Sequence, residues 1–245
     1  MGSQRRVALD DWTYLGWLCL SLLLVSCNDQ KSSDPMEIVT APQGVDPFCM
    51  TRPKIEFCED FDTGDLPGAF DEKSSNLSTM TLDDREASSI PQSLLITVDD
   101  GGSGVLKNQF EAGGKLRLFG MLYLSELGEG EVKIASFELG EYQIGFGVSE
   151  DGRLWGYEGD QRIEGNGTIP TGKWASFRWD VNLYEDGTGT ANLRFGNDTI
   201  VDTDQLSPPS DSDKLPATTV GLFEATGSWI MRFDNVTVAV KEVVQ

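Results

Sequence analysis

The chemistry open to this chain is limited first by a residue it lacks: among its 245 residues there is no histidine. Without an imidazole there is no Ser-His-Asp or Cys-His nucleophilic machinery and no His-ligated zinc. With 19 Lys+Arg against 40 Asp+Glu, the formal net charge of −21 repels phosphate backbones and anionic membrane surfaces. Nucleic acid is therefore excluded as a partner. Carboxylate chemistry, hard cations bound through oxygen, or a binding module without chemistry remain. At 39% hydrophobic and 24% charged residues, the chain is too apolar for wholesale disorder.

Glycoside hydrolysis needs two carboxylates flanking one bond. The nearest candidate stretch is Phe137-Glu138-Leu139-Gly140-Glu141. Glu138 and Glu141 are three apart, so on a regular strand they face opposite sides, whereas a retaining pair must sit roughly 5–5.5 Å apart. Gly140 reads instead as the turn between two strands. The broken spacing and the missing histidine together predict a protein that is not an enzyme.

Sugar-binding sites want an aromatic platform with polar groups beside it. Trp174 stands opposite the apolar parity of its own strand, with Arg178 and Asp180 on the same face to orient hydroxyls; Trp174 packed under a loop is the competing reading. Gln143 offers an amide on a shallow face with Gly145 and Gly147. Trp155 and Tyr157 share one face, and register decides which. A two-residue type I′ turn at Asp151-Gly152 pairs Val148 with Trp155 and Phe146 with Tyr157, sending both rings to the core beside Tyr142 and Ile144. A three-residue Glu150-Asp151-Gly152 loop pairs Gly147 with Trp155 and Gly145 with Tyr157 instead. Asp-Gly favours the two-residue form, so core packing is expected.

The elements that must position these groups are all strands. β-branched and aromatic runs alternate with Gly/Asp/Asn/Ser turns, and no segment has a helical period. Strands are expected at 94–98, 115–124, 132–139, 142–149, 153–158, 174–183, 190–195, 199–202, 218–224 and 229–240. Ten short strands without helices make a sandwich or barrel. In the last strand, Trp229, Met231 and Phe233 hold one parity and Val236, Val238 and Val240 the other. The buried face changes phase around Asp234, as a bulge would produce.

The first residues read as an address and a tether. Arg5 and Arg6 precede an apolar stretch, residues 14–26, of signal-peptide length and too short to span a bilayer. Its end, Leu24-Val25-Ser26-Cys27, resembles a bacterial lipobox. That resemblance implies a signal peptide over 1–26, a lipidated (palmitate-bearing) Cys27 as mature N-terminus, and a lipoprotein anchored in the cell envelope outside the cytoplasm. Residues 27–48 are polar and proline-punctuated, a flexible tether. Signal removal takes as many acidic as basic residues, so the charge stays at −21. Cys49 and Cys58 are expected to pair, since two thiols without histidine supply too few ligands for a metal.

Three motifs stand out in residues 49–241: Phe57-Cys58-Glu59-Asp60-Phe61-Asp62, Gly172-Lys173-Trp174-Ala175-Ser176-Phe177 and Arg232-Phe233-Asp234-Asn235-Val236-Thr237-Val238. Together they resemble the concanavalin A-like lectin/glucanase superfamily, particularly LamG-like modules and laminarinase-type hydrolases. The resemblance implies a single two-sheet antiparallel jelly-roll sandwich whose chain ends meet on adjacent strands. It also implies one structural Ca²⁺ held by Glu59, Asp60 and Asp234; the alternative is that Asp234 and Asn235 cap or turn the strand through their own hydrogen bonds. The laminarinase-type E-x-D-x-E acid pattern is absent at Glu138. The whole reading predicts a monomeric, membrane-anchored, non-catalytic sandwich binding polysaccharide or another surface component. A laminarinase-like hydrolase and a purely structural envelope module are its rivals.

Overall fold

The computed structural model describes residues 48–241, apart from 53–54, 63, 112–113, 185 and 209–214. The expected signal segment 1–26, Cys27 and the expected tether up to residue 47 lie outside the described residues. The described residues contain no helix and thirteen strands: β1 (Phe57–Glu59), β2 (Glu72–Asp83), β3 (Ser93–Gln109), β4 (Lys115–Leu124), β5 (Glu131–Leu139), β6 (Tyr142–Ser149), β7 (Arg153–Glu158), β8 (Gln161–Thr168), β9 (Trp174–Leu183), β10 (Gly189–Phe195), β11 (Asp198–Leu206), β12 (Pro216–Phe223) and β13 (Trp229–Lys241). Every ladder between them is antiparallel.

Hydrogen bonding runs without a break in the order β11-β10-β9-β4-β13-β3-β12-β5-β6-β7-β8. The path folds back on itself because β3 serves both layers. Its first half, Leu94–Val98, pairs with β13, and its second half, from Gly104 to Gln109, pairs with β12. Between them the positive φ of Gly101 (71°) falls within a stretch, Asp99-Asp100-Gly101-Gly102-Ser103-Gly104, whose composition reads as a turn. The strand bends there without ending. Contacts across the core make the result a sandwich: the Phe146 ring of β6 lies 5.3 Å from Phe177 and 6.1 Å from Trp179 of β9, and 6.1 Å from Phe195 of β10.

The core is built by period-2 alternation. Leu116, Leu118, Leu122 and Leu124 of β4, Ile144, Phe146 and Val148 of β6, and Phe177, Trp179 and Val181 of β9 are buried. Each such side chain contributes roughly 1.5–3 kcal/mol of burial. The expected phase change in β13 is present, with its register against β4 shifting between Asp234 and Thr237 and Asn235 at φ 53°. Met231 and Phe233 before the bulge and Val236 and Val238 after it are therefore all buried. The chain ends meet as expected: β1 pairs with β13, Phe57 opposite Val238. Cys49 and Cys58 form the disulfide, with Cα atoms 5.6 Å apart.

One expected register is corrected. The β6–β7 connection is the three-residue Glu150-Asp151-Gly152 loop, not the two-residue turn, so Gly147 pairs with Trp155 and Gly145 with Tyr157. Gly152 donates its amide to the Ser149 carbonyl at 2.7 Å and sits at φ 79°, a turn closed by one left-handed glycine. Asp151 spends its carboxylate on the Arg153 amide at 3.1 Å. Leu154 takes the core position opposite Val148 and is fully buried; a one-residue slip would put Trp155 there instead.

Candidate functional site

The corrected register gives the outer face of the β3-β12-β5-β6-β7-β8 layer its character. Lys107 of β3 pairs with Thr219 of β12, Thr219 with Ser136 of β5, Ser136 with Gly145 of β6, Gly145 with Tyr157 of β7, and Tyr157 with Arg162 of β8. One row across the layer thus reads Lys-Thr-Ser-Gly-Tyr-Arg. A groove of about 290 Å³ opens over its β2–β6 end, lined by Glu72, Ser74, Ser103, Val105, Lys107, Glu138, Gln143, Thr219 and Phe223.

Glu138 is the hub of this groove. Its Oε2 takes the Lys107 ammonium at 2.5 Å. Its Oε1 accepts the Thr219 hydroxyl and, at 3.3 Å, the Ser136 hydroxyl. The Glu138 side chain is 13% exposed and that of Lys107 32%, so the pair is screened from solvent on one side and reachable from the groove on the other. Gln143, paired with Glu138 across β5–β6, adds an amide on the same wall. Glu141 is exposed in the turn beyond, where Gly140 takes φ 66° as expected, and does not join Glu138.

Beside the groove, the Tyr157 and Trp155 rings lie against Gly145 and Gly147. A Cβ on Gly145 would come within 2.5 Å of the Tyr157 hydroxyl, and one on Gly147 within 2.6 Å of the Trp155 ring. Only glycine leaves room for the rings. Burial holds the Tyr157 phenol protonated, well above the usual tyrosine range; Tyr142, which donates to Glu158 at 2.8 Å, is raised by burial and then by that carboxylate.

The residues expected to bind ligand are divided by the fold. Gln143 lies on the groove face. Trp174, Arg178 and Asp180 lie on the outer face of the other layer, on β9, opposite in parity to Phe177 and Trp179, which contact β6 across the core. The four do not line one site. Trp174 packs against Tyr123, ring centroids 5.5 Å apart, and Asp180 is taken by Arg117 and Arg178, each at 2.5 Å.

The three residues expected at a cation are buried, and each is committed to local donors. Glu59 accepts the amides of Phe61 (2.7 Å) and Ala69. Asp60 accepts those of Cys49 (3.0 Å) and Asp62 (3.3 Å). Asp234 accepts the amides of Ser88, Ser89 and Asn235, each at 2.7 Å, and the Ser89 hydroxyl at 3.1 Å. The Asp234 bonds satisfy backbone donors at the bulge. Among the described residues no three Cys, Asp or Glu side chains are grouped to hold a metal. Burial raises the carboxyl of Glu59, lifts Asp62 to about 6 with help from Asp60, and lifts Asp234 to about 7.

Sequence reasoning missed Lys107, Ser136, Thr219, Lys133 and Arg162. The signal for Lys107 was there: Val105, Lys107 and Gln109 alternate with Leu106 and Asn108, but the glycine run before them reads as the end of a strand.

No protein-family model and no curated protein sequence matches the chain. Solved structures do match it in fold. An endo-β-1,4-glucuronan lyase from the fungus Trichoderma reesei superposes with a TM-score of 0.60 at 16% identity, covering 76% of this chain and 96% of its own. The cellulose-induced protein Cip1 superposes with a TM-score of 0.59 at 15% identity, covering 78% of this chain and 100% of its own. At these identities the likeness concerns fold. The expectation of a non-catalytic, non-enzyme module is corrected by it. That expectation rested on the missing histidine and the broken carboxylate pair, and both arguments address hydrolases or imidazole chemistry. The same fold carries a polysaccharide lyase, and the groove here holds a lysine, a glutamate and an amide, groups that can move protons and hold charge without an imidazole.

Proposed function

We propose that this chain is a carbohydrate-active enzyme that cleaves a uronate-containing polysaccharide by β-elimination in the Lys107–Glu138 groove. The observation that carries the proposal is Glu138 held between Lys107, Thr219 and Ser136 with Gln143 alongside. Lys107 and Gln143 take the carboxylate of the bound uronate. Lys107 thereby turns from Glu138 to the substrate and leaves the glutamate oxygen open to the substrate proton. Glu138 then removes the proton on the carbon next to the uronate carboxylate. The C–H pair becomes the new ring double bond, the bond to the glycosidic oxygen breaks, and that oxygen takes the proton back from Glu138. Negative charge builds on the substrate carboxylate during the step, where Lys107 and the Gln143 amide are already aimed. No water is consumed.

Hydrolysis fits the groove less well. The other acidic residue lining it, Glu72, stands on β2, three strand positions from Glu138, with Lys107 between them. Glu138 is hydrogen-bonded to Lys107, Thr219 and Ser136 and to no second carboxyl group, whereas a glycosidase needs a pair of them flanking the bond. The fold likeness to the fungal glucuronan lyase supports a polyuronate over a neutral glucan. The assay is release of unsaturated chain ends from polyglucuronate, alginate and pectate, with neutral β-1,4-glucan as control. Unsaturated ends from at least one polyuronate are expected; none from any of them overturns the proposal.

The Leu24-Val25-Ser26-Cys27 stretch supports placing the enzyme at the cell envelope on a Cys27-linked lipid. Labelled palmitate incorporated by the wild type and not by Cys27→Ser is the expected result, and equal labelling of both overturns the anchor.

A further inference from the structure

Trp155 and Tyr157 are buried on a face of the sheet that points away from the core. With Phe223 they form a cluster of their own, separate from the main core, and Val105 packs against it. Tyr157 is 2% exposed and Trp155 6%, yet the Tyr157 hydroxyl and the Trp155 indole N–H have no hydrogen-bond partner. Buried polar groups without partners are costly and rare in folded proteins, and a bound ligand is one way to supply the partner.

A cation caps each ring. The Lys133 ammonium stands 4.4 Å from the Tyr157 ring centroid and the Arg162 guanidinium 4.7 Å from that of Trp155. Each cation is in turn held by the protein's own glutamates. Lys133 pairs with Glu224 at 2.5 Å; Arg162 pairs with Glu164 at 3.0 Å and with Glu131, which also accepts the Ser149 hydroxyl at 3.0 Å. The Glu224, Glu131 and Glu164 side chains are 61%, 44% and 77% exposed. Exposed ion pairs have small net worth, so another carboxylate can take either place at little cost.

We propose that Trp155, Tyr157, Lys133 and Arg162 form a second subsite, continuous with the Lys107–Glu138 groove, that binds an anionic sugar. Glu131 and Glu224 occupy the place of the sugar carboxylate in the resting protein. This rests on the polysaccharide reading above. The sugar carboxylate displaces a glutamate and draws Lys133 or Arg162 off its ring, which uncovers the aromatic pair for the apolar face of the sugar and its N–H and O–H for sugar hydroxyls. Continuity comes through Phe223 and Val105, which line the groove and also pack in the aromatic cluster. A polymer in both sites runs across the strands from β3 toward β8. Selectivity follows from the exchange, since a neutral glucan has nothing to offer in place of Glu131 or Glu224.

Calorimetric titration of the full chain with polyglucuronate oligosaccharides, against neutral β-1,4-gluco-oligosaccharides of equal length, tests this. The wild type is expected to bind the charged oligomer in preference. Arg162→Gln and Lys133→Gln should each weaken that binding about tenfold or more, as loss of a charge-assisted contact does. Glu224→Gln, and Glu131→Gln combined with Glu164→Gln, should tighten it about two- to fivefold by freeing the cations. Misfolding cannot produce tightening, so the glutamate variants guard the test. Unchanged affinity in the lysine and arginine variants, no tightening in the glutamate variants, or no binding of the charged oligomer by the wild type overturns the subsite. Cleavage without these affinity changes defeats the subsite alone, and these affinity changes without cleavage defeat the enzyme reading alone.

Discussion

Lys107 and Glu138 face each other across β12, ammonium to carboxylate at 2.5 Å, with Thr219 of the intervening strand donating to the same glutamate. The pair joins strands that are not neighbours in the sheet, 31 residues apart in sequence. Lys107 has no other ion-pair partner among the described residues, so its charge is free for substrate once it leaves Glu138.

Glu138→Gln keeps the shape of the side chain and removes its basicity. Cleavage of polyuronate should fall by about 10²- to 10⁴-fold, the usual worth of a general base, with little change in KM. Lys107→Met should lower kcat and raise KM together, because in the proposed mechanism the lysine both holds the substrate carboxylate and stabilises the charge that builds on it. Steady-state kinetics on a common polyuronate separate the two patterns.

Gly147→Ala places a Cβ 2.5 Å from the Val132 carbonyl oxygen and 2.6 Å from the Trp155 ring. Overpacking of this kind costs about 1–3 kcal/mol. Urea unfolding should show that loss, and Gly145→Ala should behave alike because its Cβ meets the Ala135 carbonyl at 2.1 Å.

Stability should fall as pH rises from about 4 to about 7. Burial lifts Asp234 from 3.8 to about 7 in the folded protein, so across that window the folded state holds a proton that the unfolded chain has released. Asp62, lifted to about 6, acts in the same direction but more weakly, being partly exposed, and the net charge of −21 adds self-repulsion as carboxylates ionise. Asp83 acts oppositely: its bonds to Arg85 and Arg232 hold it at about 2, so its contribution is lost only as pH drops below about 4. Melting temperature should peak near pH 4–5. Asp234→Asn should flatten the decline by an amount on the order of 2–4 kcal/mol; an unchanged slope would contradict the assignment.

Removing the Cys49–Cys58 bridge by Cys49→Ser with Cys58→Ser should cost about 2–3 kcal/mol, the chain-entropy value for so short a loop. Urea midpoints measure the loss, and the proposed cleavage activity should persist, because neither Cys49 nor Cys58, on β1, lines the groove.

Much of the fold was legible in the residues. Period-2 runs such as Tyr142–Ser149 and Trp174–Leu183 marked strands to the residue, and the parity change at Asp234 marked the bulge in β13. β2 was hidden because its residues 72–78 are nearly all exposed and polar, with no apolar period to read. β8 was hidden by the same cause, its glycines and charges alternating on a face with little core beneath. The site was less legible than the fold. Lys107, Ser136 and Thr219 meet through pairing of β3, β12 and β5, a long-range register that no local spacing reveals. The single turn after β6 also mattered more than its length suggests. Asp-Gly there has two allowed loop lengths, and the three-residue one puts Leu154 in the core and sends Trp155 and Tyr157 to the groove face.

The most direct test is digestion of polyglucuronate in water enriched in ¹⁸O, followed by mass spectrometry of the fragments. β-Elimination at the Lys107–Glu138 groove gives new chain ends that are unsaturated and carry no ¹⁸O from the bond-breaking step. Fragments that gain one ¹⁸O per cut and lack the double bond would contradict it, as would intact polymer.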